Sequence, residues 1–241
     1  MKIFIINLKR SPDRKTKMIT QLEKLSNSKY EKFFFEAIDA KENQHLSFMQ
    51  HFSYFTKYIK GRHLTDGEFA CYTSHYCLWK KCIELNEPII ILEDDVGILT
   101  HFDEVTDKII NSGYHYVKLA STFNKKQFEI EPNFFSTNIE SCGALGYYLT
   151  PVAAKLLLEK SKKFYKPVDD FMDSFWIHKV RTIIYNPNAI YHNDNDTTTI
   201  SDRKIKIPIR LKIIRELGRG LLYVRKYFYL MINWRNEKNI I

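Results

Sequence analysis

The 241-residue chain has no long apolar run. Nothing in it approaches the roughly 18 uncharged apolar residues that a bilayer span requires. The opening MKIFIINLKR returns to charge after a run of four apolar residues, too short for the apolar region of a secretory signal. These absences point to the cytoplasm. Cysteine is scarce as well: Cys71, Cys77, Cys82 and Cys142 show no CxxC spacing, which argues against a zinc site and a disulfide framework and reads as reduced packing residues. No GxxxxGK[ST] stretch occurs, so P-loop chemistry is excluded, although another metal-dependent reaction such as nucleotidyl transfer is not. No internal repeat or low-complexity linker divides the chain.

What is present begins with a core supply of 44% hydrophobic residues, enough for one sizeable domain or a domain with an appendage. The net charge of +9 resembles a nucleic-acid signal until it is located. Residues 201 to 241 hold 11 Lys or Arg against Asp202, Glu216 and Glu237, so this segment carries +8 and residues 1 to 200 only +1. A nucleic-acid surface needs basic residues across the folded body and stacking aromatics in a groove, so a nucleic-acid partner is not expected. The division expected is a body over 1–200 and a basic, aromatic segment over 201–241.

Strand and helix patterns alternate along the body, which predicts an α/β fold. IFIINL at 3 to 8 reads as a buried strand, followed by a helix with Ser11 as N-cap, Pro12 in its first turn and Met18, Leu22 and Leu25 on one face. KFFFEAID at 32 to 39 is a second strand, and 41 to 64 is irregular or a pair of short helices. The next helix carries Phe69, Tyr72, Tyr76, Trp79 and Ile83 at spacings of three and four. Thr65 and Glu68 form a T-x-x-E capping box at its start, and His75 falls on its buried side as a core histidine. Further strands are expected in YHYVKLA at 114 to 120 and SCGALGYYLTP at 141 to 151, with a helix from Pro151. TIIYNPNAIYHNDNDTTTIS supplies one last strand or two and ends in a polar loop containing His192.

The stretch PIIILEDDV, residues 88 to 96, runs four apolar residues into Glu93, Asp94 and Asp95. An uninterrupted Ile/Leu run reads as an interior strand covered on both faces. Three carboxylates at its end repel one another unless a positive group sits among them. Ligands of open α/β sheets gather outside the carboxyl ends of the strands, so a divalent cation carrying a phosphate-bearing substrate is the natural candidate. A solvated acidic loop is the alternative.

IFIINLKRSPDR, LTDGEFACYTSHYCLWKKC, PIIILEDDV, GYYLTPVAAKLL and KPVDDFM, taken in this order, resemble glycosyltransferase family 25, over about residues 1 to 200. This group includes bacterial lipooligosaccharide β-1,4-galactosyltransferases and collagen galactosyltransferases. The resemblance implies a GT-A type fold with a Rossmann-like mixed sheet and inversion at the anomeric carbon. It also implies a nucleotide-sugar donor, usually UDP-galactose; UDP-glucose differs in one hydroxyl orientation and stays open here. Glu93-Asp94-Asp95 looks like that fold's DxD-type motif, holding Mn²⁺ or Mg²⁺ through Asp95, with Glu93 or Asp94 on the ribose or a metal-bound water. His192 stands where many such enzymes bring a third ligand. Asp169 in the family's PVD element is the first candidate for general base and Asp170 the second, against a plain helix-capping role for either. Asn7, Arg10, Asp13 and Arg14 follow the first strand, where guanidinium groups could meet uracil or phosphate. For bacterial members the acceptor is a lipid-linked oligosaccharide.

In the last segment, Lys and Arg interleave with Ile, Leu, Tyr, Phe and Trp234. This composition predicts one or two amphipathic helices, broken near Pro208 and near Gly218 or Gly220, lying on the anionic inner face of the cytoplasmic membrane. The alternative is that LLYVRKYFYLMI packs back on the body or forms a homodimer contact.

Overall fold

The computed structural model describes residues 1–25, 30–121, 127–139, 143–193 and 207–233. Cys142, the polar stretch after Asn193 and Trp234 lie outside the described residues. The first strand, β1 (Lys2–Asn7), leads into α1 (Pro12–Lys24) and returns as β2 (Glu31–Glu36), parallel to β1. Ser11 sits at the N-cap of α1, but its side chain caps nothing. The 41–64 region forms a 3₁₀ helix (Gln44–His51) and a short helix, α2 (Thr56–Lys60). Then come α3 (Asp66–Leu85), β3 (Ile89–Glu93), β4 (Val96–Ile98), α4 (Phe102–Asn111) and β5 (Tyr116–Lys118). A hairpin of β6 (Phe128–Glu131) and β7 (Phe134–Ser136) precedes β8 (Gly146–Leu149) and α5 (Pro151–Lys160). The body ends with α6 (Val168–Met172), α7 (Phe175–His178), β9 (Ile183–Tyr185) and β10 (Ile190–His192).

Eight strands form one mixed sheet in the order β2-β1-β3-β8-β5-β9-β7-β6, while β10 pairs with β4 beside it. Strand alternation sends Ile3, Ile5, Ile90 and Leu92 into a core with Met18, Phe102 and Ile109 from α1 and α4. Phe4, Ile89 and Ile91 point the other way, into a core with Trp79, Leu157 and Phe171 from α3, α5 and α6. The Ile/Leu run of β3 is therefore an interior strand covered on both faces, as its uniform apolarity predicts.

Helix α3 begins with the complete capping box: Thr65 accepts from the Glu68 backbone N–H and the Glu68 side chain accepts from that of Thr65. Arg62 forks onto the same carboxylate at 2.6 and 2.7 Å. The buried stripe differs from the expected one at its end. Phe69, Tyr72 and Trp79 are buried, but Ile83 is exposed and Cys82 takes the last core position against Leu149. A 3.6-residue repeat drifts across a long helix, and the smaller Cys82 fits where α3 meets the strands.

The described part of the final segment holds one continuous helix, α8 (Ile209–Asn233), beginning after Pro208 and unbroken at Gly218 and Gly220. Gly218 has a packing reason to be small: a Cβ there would collide with the Tyr58 carbonyl oxygen of α2. Close approach, with no chain break, explains that glycine. Farther along, Tyr229 is buried against Phe175 of α7, Lys179 lies 4.0 Å from the Tyr229 ring and Lys226 lies 4.7 Å from that of Trp176. One face of α8 thus packs on the body.

Candidate functional site

The parallel ladder between β1 and β3 sets Ile6 beside Glu93, so the next residues, Asn7 and Asp94, emerge together at the carboxyl edge of the sheet. Asn7 Nδ2 donates to Asp94 Oδ2 at 2.7 Å. From the first turn and a half of α1, Arg14 Nη1 donates to Asp94 Oδ1 at 2.9 Å and stands 3.9 Å from Asp95. Both oxygens of Asp94 are therefore engaged, and Arg14 is buried on the triplet, away from the helix surface. Burial pushes the Asp94 carboxyl up in pKa while Asn7 and Arg14 pull it back.

Asp95 is different. Its Oδ1 is buried without a hydrogen-bond partner, and burial together with Glu93 and Asp94 pushes its pKa up to about 6, against the pull of Arg14 and His192. His192 ends β10, opposite Val96 in the antiparallel pair, so the expectation of a loop position is corrected: strand pairing brings its Nε2 within 3.9 Å of Asp95 Oδ2. An orphaned carboxylate oxygen, with the His192 imidazole near the other oxygen of the same group, is a pair of donors that suits a divalent ion.

Asp169 and Asp170 lie in the first turn of α6, where Pro167 occupies the N-cap. Asp169 is half-buried, with its pKa raised by burial and Asp170 and then by Glu93, so it faces the same acidic centre. Asp170 is held by Lys60 of α2 at 2.6 Å. Arg10 pairs with Asp39 at 2.6 Å, at one remove from the triplet. Asp13 is exposed in the first turn of α1, where it complements the helix dipole. Sequence reasoning missed Lys60, for which no local signal exists across 110 residues. It also missed the approach of His75 to Glu93, which required knowing that the buried face of α3 lies over the end of β3.

The raised Asp95 pKa has a consequence for stability. In the folded chain the carboxyl keeps its proton to about pH 6, and once unfolded only to about pH 4. Its stabilising protonation is complete below pH 4 and is lost as pH rises through 6, on the order of 2 to 3 kcal/mol. Asp95→Asn is expected to melt several degrees higher than the wild type at pH 7 in chelator, with no such gain at pH 4. Parallel melting curves across that range would contradict the assignment.

The sequence profile of glycosyltransferase family 25 (LPS biosynthesis protein) matches residues 1–172. A glycosyltransferase 25 family member of Aedes aegypti is 27% identical over 191 residues, covering 70% of this chain and 30% of that protein. A lipooligosaccharide biosynthesis protein of Haemophilus influenzae, lic2B, is 34% identical over 112 residues, covering 39% of this chain and 41% of its own length. Human procollagen galactosyltransferase 2 is 34% identical over 116 residues, 46% of this chain and 18% of its own. The matches thus span less than half of these relatives. The profile covers more than two thirds of the sequence, and the chain belongs to glycosyltransferase family 25.

Proposed function

We propose that this chain is an inverting, metal-dependent hexosyltransferase of GT-A type, moving galactose from UDP-galactose onto a lipid-linked oligosaccharide. The observation that carries the proposal is the unpartnered, buried Oδ1 of Asp95 at the carboxyl end of β3, in a carboxylate cluster whose repulsion calls for a cation. Asp95, with Glu93 and His192 beside it, would hold Mn²⁺ or Mg²⁺, which supplies Lewis-acid neutralisation of the diphosphate leaving group. Asn7 and Arg14 keep Asp94 in place and so fix the turn that aims Asp95. Asp169 accepts the proton of the acceptor hydroxyl as that oxygen attacks the anomeric carbon; burial raises its pKa and with it its basicity. Lys60 holds the neighbouring Asp170. The test is UDP release from a panel of UDP-hexoses with Mn²⁺ and an oligosaccharide acceptor. UDP-galactose is expected to lead, and no release from any donor would overturn the reading.

The outward face of α8 supports an anionic lipid surface as the place of work. Ile209, Ile213, Leu217, Leu221, Val224 and Phe228 recur every three or four residues and are all exposed. At about 100° per residue, exposed Lys212 and Arg219 lie beyond this stripe on one side, with Glu216 among them, Arg225 lies on the other, and Arg210 falls within it. Apolar stripe and basic margins match acyl chains beneath anionic headgroups, to which each nearby cation adds about 1 kcal/mol. Among the described residues no helix is long and apolar enough to cross a membrane. The triple variant Leu217→Glu, Leu221→Glu, Phe228→Glu leaves the packed face intact. It is expected to stop pelleting with anionic vesicles at low salt while the wild type pellets, less so at high salt. Equal sedimentation of the two, or a wild type that dimerises through this face and ignores vesicles, would reject the role.

A further inference from the structure

On the side of Glu93 facing α3 stands a second group of ligand atoms. Cys71 and His75 lie one helical turn apart on α3, and the Cys71 Sγ, a His75 ring nitrogen and a Glu93 carboxylate oxygen are all within 4.8 Å of one another. His75 is 1% exposed, yet its Nε2 has no hydrogen-bond partner and points at Glu93 Oε1 from 3.6 Å, beyond hydrogen-bond range. Such a buried orphan nitrogen is costly unless something satisfies it. The other ring nitrogen is fixed: Nδ1 lies 2.9 Å from the Tyr147 hydroxyl, which also receives the Trp79 indole N–H at 2.9 Å. The ring is thereby held at a set angle by a second layer of buried groups, the arrangement that orients metal-ligating histidines.

We infer that Cys71, His75 and Glu93 form a binding site for a soft divalent cation, Zn²⁺ in type, distinct from the all-oxygen and imidazole site at Asp95 and sharing Glu93 with it. Bond lengths of about 2.0–2.3 Å around zinc set its ligand atoms about 3.3–3.8 Å apart, so the nitrogen–oxygen pair at 3.6 Å already has the spacing and the sulfur lies within a short side-chain adjustment of it. Coordination takes Cys71 as thiolate, its proton leaving to solvent. Binding selects the tautomer with the His75 proton on Nδ1, donated to the Tyr147 hydroxyl, leaving the Nε2 lone pair for the ion. Thiolate and imidazole select a borderline-soft ion over Mg²⁺ or Ca²⁺. The Glu93 side chain is 27% exposed, which gives the ion a route in. Three protein ligands leave one position for water. An ion here draws Glu93 away from Asp95, so zinc competes with donor binding; that consequence alone rests on the proposed transfer function.

Titration with Co²⁺ provides a readout independent of activity, because a cobalt–thiolate bond gives a near-ultraviolet charge-transfer band. The wild type is expected to show the band at one equivalent and to lose it when Zn²⁺ is added. Cys71→Ser, nearly the same size, is expected to abolish it. Glu93→Gln, altered at a partly exposed tip, is expected to need at least tenfold more Co²⁺ for the same band. Asp95→Ala is expected to keep the band, so this site can stand even where the assignment at Asp95 fails. No band in the wild type, an undiminished band in Cys71→Ser, or unchanged affinity in Glu93→Gln would overturn the proposal.

Discussion

Asp95→Ala, folded as the wild type, is expected to release UDP from UDP-galactose on the order of 10³-fold more slowly, the loss that follows when several kcal/mol of charge stabilisation leave the departing diphosphate. The size of the effect comes from the position of Asp95 within the triplet. Asp94 already spends both oxygens on Asn7 and Arg14, whereas Asp95 keeps a buried oxygen without a partner. Asp94→Asn retains an acceptor for Arg14 and should therefore cost less, through loosening of the turn. Wild-type turnover in Asp95→Ala, or full activity in excess EDTA, would rule out the role given to Asp95.

Asp169→Asn is expected to bind the UDP-sugar donor with wild-type affinity and to lose about 10²- to 10⁴-fold in transfer, since an amide can hydrogen-bond to the acceptor hydroxyl but cannot take its proton. A capping role predicts the reverse, early melting with specific activity kept. The N-cap position of α6 is held by Pro167, so neither aspartate occupies it, although the Asp169 carboxylate accepts a bond from the Asp170 backbone N–H in the first turn. Asp170→Asn should have a smaller effect, as Lys60 at 2.6 Å already occupies that carboxylate. Donor affinity is measured by UDP-sugar titration and transfer by product formation. Equal losses in both, or equal effects at 169 and 170, would remove Asp169 from the role of base.

Much of the fold was legible because its signals are local. The Ile/Leu run of β3, the Thr65–Glu68 box and Pro151 at the start of α5 each act within a few residues, and each forms where its pattern says. The short strands β4, β6 and β7 carry three or four residues apiece and are defined by partners far along the chain, so no periodicity announces them. The same limit holds at the site. The triplet and the PVD element were visible as clusters of carboxylates, but Arg14 meets Asp94 across 80 residues, and His192 reaches Asp95 only because β10 pairs with β4. Gly218 misled for a related reason: a glycine within a helix signals a break until the neighbouring backbone that requires it is known.

The five residues of α2 connect two regions that differ in purpose. Tyr58 seats α8 at Gly218, and Lys60, half a turn on, grips Asp170 beside Asp169. Among the described residues, α2 thus joins α8 directly to the segment that carries Asp169 and Asp170. On the proposed reading, with α8 lying flat on a bilayer, those carboxylates would stand at one fixed height above it. The acceptor would then be selected by length as well as by chemistry, the favoured sugar being the one that an oligosaccharide lifts to that height.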